Sequence, residues 1–225
     1  MKAIRFLATA LLVGSTAVSV WANPIPLGRW FARVYDSLQS DVARCIIQPT
    51  GDGAAVIVAG STTGFAQEAT DALLIFLDHE GHRQSELCLT APGDDEIRGM
   101  AETTDHSILV VGSTHGGQDE EDAFVALVSA QGQLVWERVW SGGVGRDEAW
   151  NAVICGPDGI PWIVGYTGSF TGNGRKEAVV ARIAPDGRTL TGCRFALPSE
   201  PLSDALGLDL APLAGAAGIA VTGSV

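Results

Sequence analysis

The phrase VIVAGST at 56–62 returns as ILVVGST at 108–114, as WIVGYT at 162–167 and as IAVTGS at 219–224. A chain that repeats at a fixed period folds as a row of equivalent supersecondary units, because one short unit cannot bury its own apolar face. The shared glycines are Gly60, Gly112, Gly165 and Gly223, spaced by 52, 53 and 58 residues. An acidic residue opens each unit, at Asp41, Asp95, Asp147 and Asp204, spaced by 54, 52 and 57. After the first three glycines a polar loop leads into DALLIFLD, DAFVALVS or EAVVARIA, which begin at Asp71, Asp122 and Glu177. These runs end in turns with Gly81, Gly132 and Gly187, and FARVYDS, WERVWSGG and CRFALP precede the acidic openers.

Each unit divides into four short segments, which in the first are 42–48, 54–60, 71–77 and 83–89. They are rich in Val, Ile, Leu and Ala and bounded by Gly, Asp, Pro or Ser, a length and punctuation that suit strands. With 28 Gly and 10 Pro in 225 residues, turns are frequent, and DGA, EGH, AQG and PDG are turn signals in which glycine supplies positive φ. Four strands at a period near 52 match one blade of a β-propeller.

WERVWSGGVGRDEAW, with Trp136, Arg138, Trp140, Gly142, Gly143, Asp147 and Ala149, resembles the β-propeller repeat of secreted and cell-surface bacterial proteins. The first unit keeps Arg33, Tyr35, Asp41, Ala43, Gly60, Ser61, Thr62 and Asp71 of that pattern but lacks the double glycine, and the fourth unit is eroded. The resemblance covers 23–225 and implies an all-β fold, a β-propeller of four-stranded antiparallel blades. It implies no activity, since this repeat is a scaffold in many contexts. The units run over about 41–93, 94–146, 147–203 and a partial 204–225, so the propeller is incomplete or truncated, and a fragment or truncated gene product is the expectation. Alternatively, the segment 29–35 supplies the outermost strand of the last blade.

Residues 1–22 read as a signal peptide: Lys2 and Arg5 form a basic start, 6–13 an apolar core, and Val20 and Ala22 a small-residue cleavage site. The alternative, an uncleaved anchor, is disfavoured by Gly14, Ser15, Thr16 and Ser19 in the run. Periplasmic, secreted or cell-surface localisation follows, with no membrane association after cleavage. The mature chain would hold 12 basic against 26 acidic residues, which disfavours nucleic-acid partners. Cys45, Cys88, Cys155 and Cys193 permit two disulfides in three connectivities or four free buried thiols, and no C-x-x-C spacing points to zinc or redox chemistry.

The repeated acids Asp41, Asp95, Asp147 and Asp204, and with them Asp71, Asp122 and Glu177, read as structural, because catalysis needs one set of groups and these occur once per unit. Acids at loop-to-strand junctions accept backbone N–H bonds and hold turns. The run Asp119, Glu120, Glu121 and Asp122 is a set of hard oxygen donors that could hold calcium, but it lacks EF-hand spacing and reads first as a solvated loop. His79 and His82 in DHEGH could face one metal, although turn decoration is the expectation; His106 and His115 have no obvious nucleophile to pair with. No nucleophile elbow, P-loop or dinucleotide fingerprint is present. Trp30, Trp136, Trp140, Trp150 and Trp162 are expected to fill gaps between blades, with stacking on sugar rings as the alternative.

The expectation is therefore an exported, non-catalytic scaffold for protein or glycan binding, without catalytic residues or a resident cofactor. The rival is an enzyme on a propeller frame, a quinone-cofactor dehydrogenase or a glycan-cleaving enzyme, with its site in missing repeats. Ligands are expected at the variable loop tips 63–70, 115–121 and 168–176, or at one mouth of the channel.

Overall fold

The computed structural model describes residues 40–64, 69–89, 93–115, 120–142, 146–156, 158–170, 175–188, 190–195, 206–212 and 219–224. The expected signal peptide, Trp30, Asp119 and Asp204 lie outside them. The described residues form strands and turns and no helix.

The first sheet holds β1 (Asp41–Ile47), β2 (Val56–Thr62), β3 (Asp71–Leu77) and β4 (Arg83–Leu89), antiparallel and in chain order. The second holds β5 (Asp95–Glu102), β6 (Ile108–His115), β7 (Glu121–Val128) and β8 (Leu134–Trp140) in the same order. The third repeats it with β9 (Glu148–Cys155), β10 (Pro161–Thr167), β11 (Glu177–Ile183) and β12 (Leu190–Phe195), and β13 (Leu206–Pro212) pairs with β14 (Ile219–Ser224).

The sheets pack face to face, each against the next, and the burial pattern explains the sequence pattern. β2 is buried along its whole length because neighbouring strands flank it and apolar groups cover both faces, so VIVAGST reads as a continuous run instead of an alternation. In the outermost strand β4, Arg83, Gln84, Ser85 and Glu86 are exposed. Between the first and second sheets Ile57, Leu74 and Phe76 pack with Ile97, Met100, Val110 and Phe124. Between the second and third, Leu109, Val111 and Val125 pack with Trp150, Val153, Ile163 and Ile183. Val164 and Val180 then meet Leu210 of the β13–β14 pair. Side chains of this size each contribute roughly 1.5–3 kcal/mol when fully buried, so the faces between sheets carry the stability.

The turns from the third to the fourth strand place Gly81, Gly132 and Gly187 at φ of 76°, 78° and 68°, where a Cβ would strain the backbone. Between β5 and β6, His106 adopts φ 65°, the place that Gly159 fills at 76° between β9 and β10.

The register revises one expected equivalence. Asp41 pairs with Thr62 and Asp95 with Thr114, but Thr167 pairs with Glu148. Asp147 therefore lies one residue before the strand, at the position of Asp94. The spacing of acids could not separate the two, because DE at 147–148 supplies an acid at both positions.

Candidate functional site: a polar seam across the sheets

The first strand of every sheet carries one residue too many for its neighbour. The register skips between Ala43 and Cys45, between Ile97 and Gly99, opposite Val164 and Gly165, and between Gly207 and Asp209. The extra residues are Arg44, Arg98, Asn151 and Leu208. These are β-bulges, which bend the strand and re-aim a side chain. They also explain the repeated glycine. A Cβ on Gly60, Gly112 or Gly165 would lie 1.9 Å from the carbonyl oxygen of Val42, Glu96 or Ala149, and one on Gly223 would lie 2.3 Å from that of Leu206. The bulge pushes a carbonyl against the next strand, and only hydrogen leaves room for it.

The side chains of Arg44, Arg98 and Asn151 link sheet to sheet. Arg44 donates from Nε to Glu96 Oε1 at 2.6 Å, and Arg98 donates from Nε to the other oxygen of Glu96 at 3.1 Å. Arg98 Nη1 reaches Asn151 Oδ1 at 3.1 Å, and Asn151 Nδ2 donates to the Gly207 carbonyl at 2.7 Å. One chain of hydrogen bonds thus runs from β1 to β13. A branch leaves it where Arg98 Nη2 pairs with Glu121 Oε1, while the Tyr166 hydroxyl donates to Glu121 Oε2. Lys176 lies 4.4 Å from the centre of the Tyr166 ring and pairs with Asp147 at 3.1 Å.

Ionisation in this branch is locked. Burial opposes the charge on Glu121, but the Tyr166 hydroxyl and the Arg98 guanidinium outweigh it and hold the carboxyl below its ordinary range. Burial, then the hydrogen bond to Glu121, pushes the Tyr166 hydroxyl up. Burial likewise opposes the charges on Arg98 and Lys176, and their partners overcome it and raise both. Near neutral pH the tyrosine and both cations keep their protons and the glutamate stays ionised. Such a cluster holds the second and third sheets in register, and none of these four groups is poised to exchange a proton.

The residues singled out in the sequence fall around this seam. Thr62 donates to Asp41 at 2.5 Å, and the Thr167 and Ser169 hydroxyls donate to Glu148 at 2.9 and 2.5 Å. Asp71 and Asp95 are buried at the starts of β3 and β5, and the Asp95 amide donates to the Thr70 carbonyl at 2.6 Å. Asp94 accepts the Thr70 amide at 2.7 Å and Asp147 the Glu121 amide at 3.3 Å, so the acid before the strand ties each sheet to the third strand of the one before. Asp122, second in β7, and Glu177, first in β11, are half-buried and paired in register with Thr114 and Thr167.

Of the calcium run, Asp119 lies outside the described residues. Glu121 spends both oxygens on Arg98 and Tyr166, and strand alternation sends Asp122 to the opposite face of β7. His82 forms a group with Asp78 and Glu80, of which His79 is not a member. Trp140 and Trp150 meet edge to face at 6.4 Å, and Trp136 packs against the same core, so these rings fill space between sheets.

All four cysteines are free. Cys45 and Cys88 sit on opposite edge strands of the first sheet, and Cys155 and Cys193 on those of the third. Three strand spacings amount to roughly 14 Å, about twice the Cα separation a disulfide tolerates. The second sheet separates the two pairs.

Arg44, Arg98, Asn151 and Tyr166 were not singled out in the sequence. The available signal was a polar residue three places after each strand-opening acid, in DVAR, DEIR and EAWN, inside otherwise apolar strands. No protein-family model matches this chain, and no curated protein matches it significantly.

Proposed function

We propose that this chain is an exported β-propeller-type scaffold that binds a protein or glycan ligand through the loops between the second and third strands of its sheets, without catalysing a reaction on it. The observation that carries the reading is the saturated seam: the buried Glu121 and Tyr166 and the half-buried Arg98 and Lys176 are committed to one another where β7 begins and β10 ends, at the strand ends that those loops join. A rigid floor under loops that differ between otherwise equivalent sheets is the arrangement recognition uses. Phe170, in the loop after β10, is 63% exposed and supplies an aromatic contact at that end.

The test is a glycan array and a protein pull-down with the mature chain and its Phe170→Ala variant. A ligand bound by the wild type and weakened at least tenfold in the variant supports the reading. Turnover of any captured ligand overturns it in favour of the propeller-framed enzyme.

A further inference from the structure

The three turns that join third to fourth strands are internal controls for one another. The Asp78 amide donates to the His82 carbonyl at 3.0 Å and the Gly81 amide to the Asp78 carbonyl at 3.0 Å. The second sheet repeats this with Ser129, Gln133 and Gly132 at 2.8 and 2.9 Å, and in the third the Gly187 amide donates to the Ala184 carbonyl at 2.8 Å. One hydroxyl, Ser129 Oγ, accepts the Gln133 amide in the second turn, and alanine holds the corresponding position in the third. The fold of this turn therefore requires no ionisable side chain. The first turn nevertheless carries four, Asp78, His79, Glu80 and His82, and brings a carboxylate oxygen of Asp78, one of Glu80 and a ring nitrogen of His82 within 4.8 Å of one another.

We propose that Asp78, Glu80 and His82 form a surface site for a divalent cation of the Zn²⁺ class. One imidazole nitrogen with two carboxylates is a donor set for borderline metals, whereas Ca²⁺ takes oxygen alone. Donors bound at about 2.0–2.2 Å from one ion lie roughly 3.4 Å apart in a tetrahedron, a contraction that exposed side chains reach by rotation. Part of the arrangement is already fixed. Asp78 Oδ1 accepts the Glu80 and His82 amides at 2.9 and 2.8 Å, which orients the carboxylate and leaves Oδ2 beside His82 Nδ1 at 3.1 Å. Those backbone bonds keep Asp78 ionised, as a ligand must be. A cation would take the place of the present contact between His82 Nδ1 and Asp78 Oδ2. Three protein donors leave a fourth position for water or for a group on a binding partner.

The experiment is calorimetric titration of the untagged mature chain with Zn²⁺ at pH 7.5, repeated with Ca²⁺ and at pH 5.5. The expected result is one Zn²⁺ per chain at this turn, weakened at pH 5.5 because protons compete with a metal for its ligands, with no competition from Ca²⁺. His82→Gln and Glu80→Gln should each weaken binding at least about tenfold, the order that even changes around a metal's ligands cost. Both residues are exposed, so the thermal midpoint without metal should not move. Asp186→Asn in the corresponding turn of the third sheet should bind as the wild type does. Absence of Zn²⁺ binding, wild-type affinity in both ligand variants, or a preference for Ca²⁺ overturns the proposal.

Discussion

Replacing Gly112 by alanine tests whether the repeated glycine serves the bulge. The new Cβ would lie 1.9 Å from the Glu96 carbonyl oxygen and 2.8 Å from Phe124 Cε1, so the carbonyl would have to retreat by about 1.5 Å to reach ordinary contact at 3.4 Å. A ladder hydrogen bond cannot stretch that far. About two such bonds beside Arg98 would be lost at 0.5–1.5 kcal/mol each. Overpacking of the strands adds about 1–3 kcal/mol. The expected loss is about 2–6 kcal/mol, a large part of the 5–15 kcal/mol typical of a folded domain. Gly132→Ala is the control. Its residue occupies a left-handed turn with Phe76 3.2 Å from the added carbon, so it should lose only about 1–2 kcal/mol. Urea unfolding followed by tryptophan fluorescence and far-ultraviolet dichroism measures both, and at this chain length each kcal/mol lowers the thermal midpoint by about 2–4 °C. If Gly112→Ala costs no more than Gly132→Ala, the bulge is not the reason for the glycine.

Two further expectations concern ionisation. Because Glu121 is held below the ordinary glutamate value of 4.5, its stabilising contribution is complete above that pH and disappears as the pH falls through the lower folded value. Thermal midpoints between pH 6 and 3 should therefore fall more steeply in the wild type than in Glu121→Gln, and parallel curves would refute the seam's ionic character. The native chain should contain four titratable thiols and no mass change on reduction. Burial pushes Cys45 up to about 12, and burial with neighbouring acids pushes Cys88 up to about 11, so at pH 8 alkylation should reach exposed Cys193 first and Cys45 only after unfolding.

The sheets were legible in the sequence because the signal that specifies them is local. DALLIFL at 71–77 and RQSELCL at 83–89 match β3 and β4 to the residue, since turn glycines and an initial acid or arginine bracket them. β1 and β2 are displaced by one or two residues from the expected segments, because the bulge at Arg44 alters the count within an otherwise regular ladder. The seam was harder to see. Glu121 and Tyr166 are 45 residues apart and meet only because the second and third sheets stack, and no periodicity within one unit announces a contact between units. The identity of the third strand-opening acid failed for a simpler reason: adjacent acids at 147 and 148 offer the same chemistry one residue apart, and only the pairing of Thr167 with Glu148 separates them.

Every described sheet-to-sheet contact joins neighbours in chain order, and each sheet is complete within about fifty consecutive residues. Assembly can therefore proceed in the direction of synthesis, each hairpin pair finding a finished template in the one just made, without waiting for distant segments. The same wiring makes the whole unit the natural increment of change. Duplicating or deleting some 53 residues would reproduce an existing junction, whereas a shift of a single residue within a bulged strand would misplace its arginine and move its carbonyl away from the glycine of the next strand.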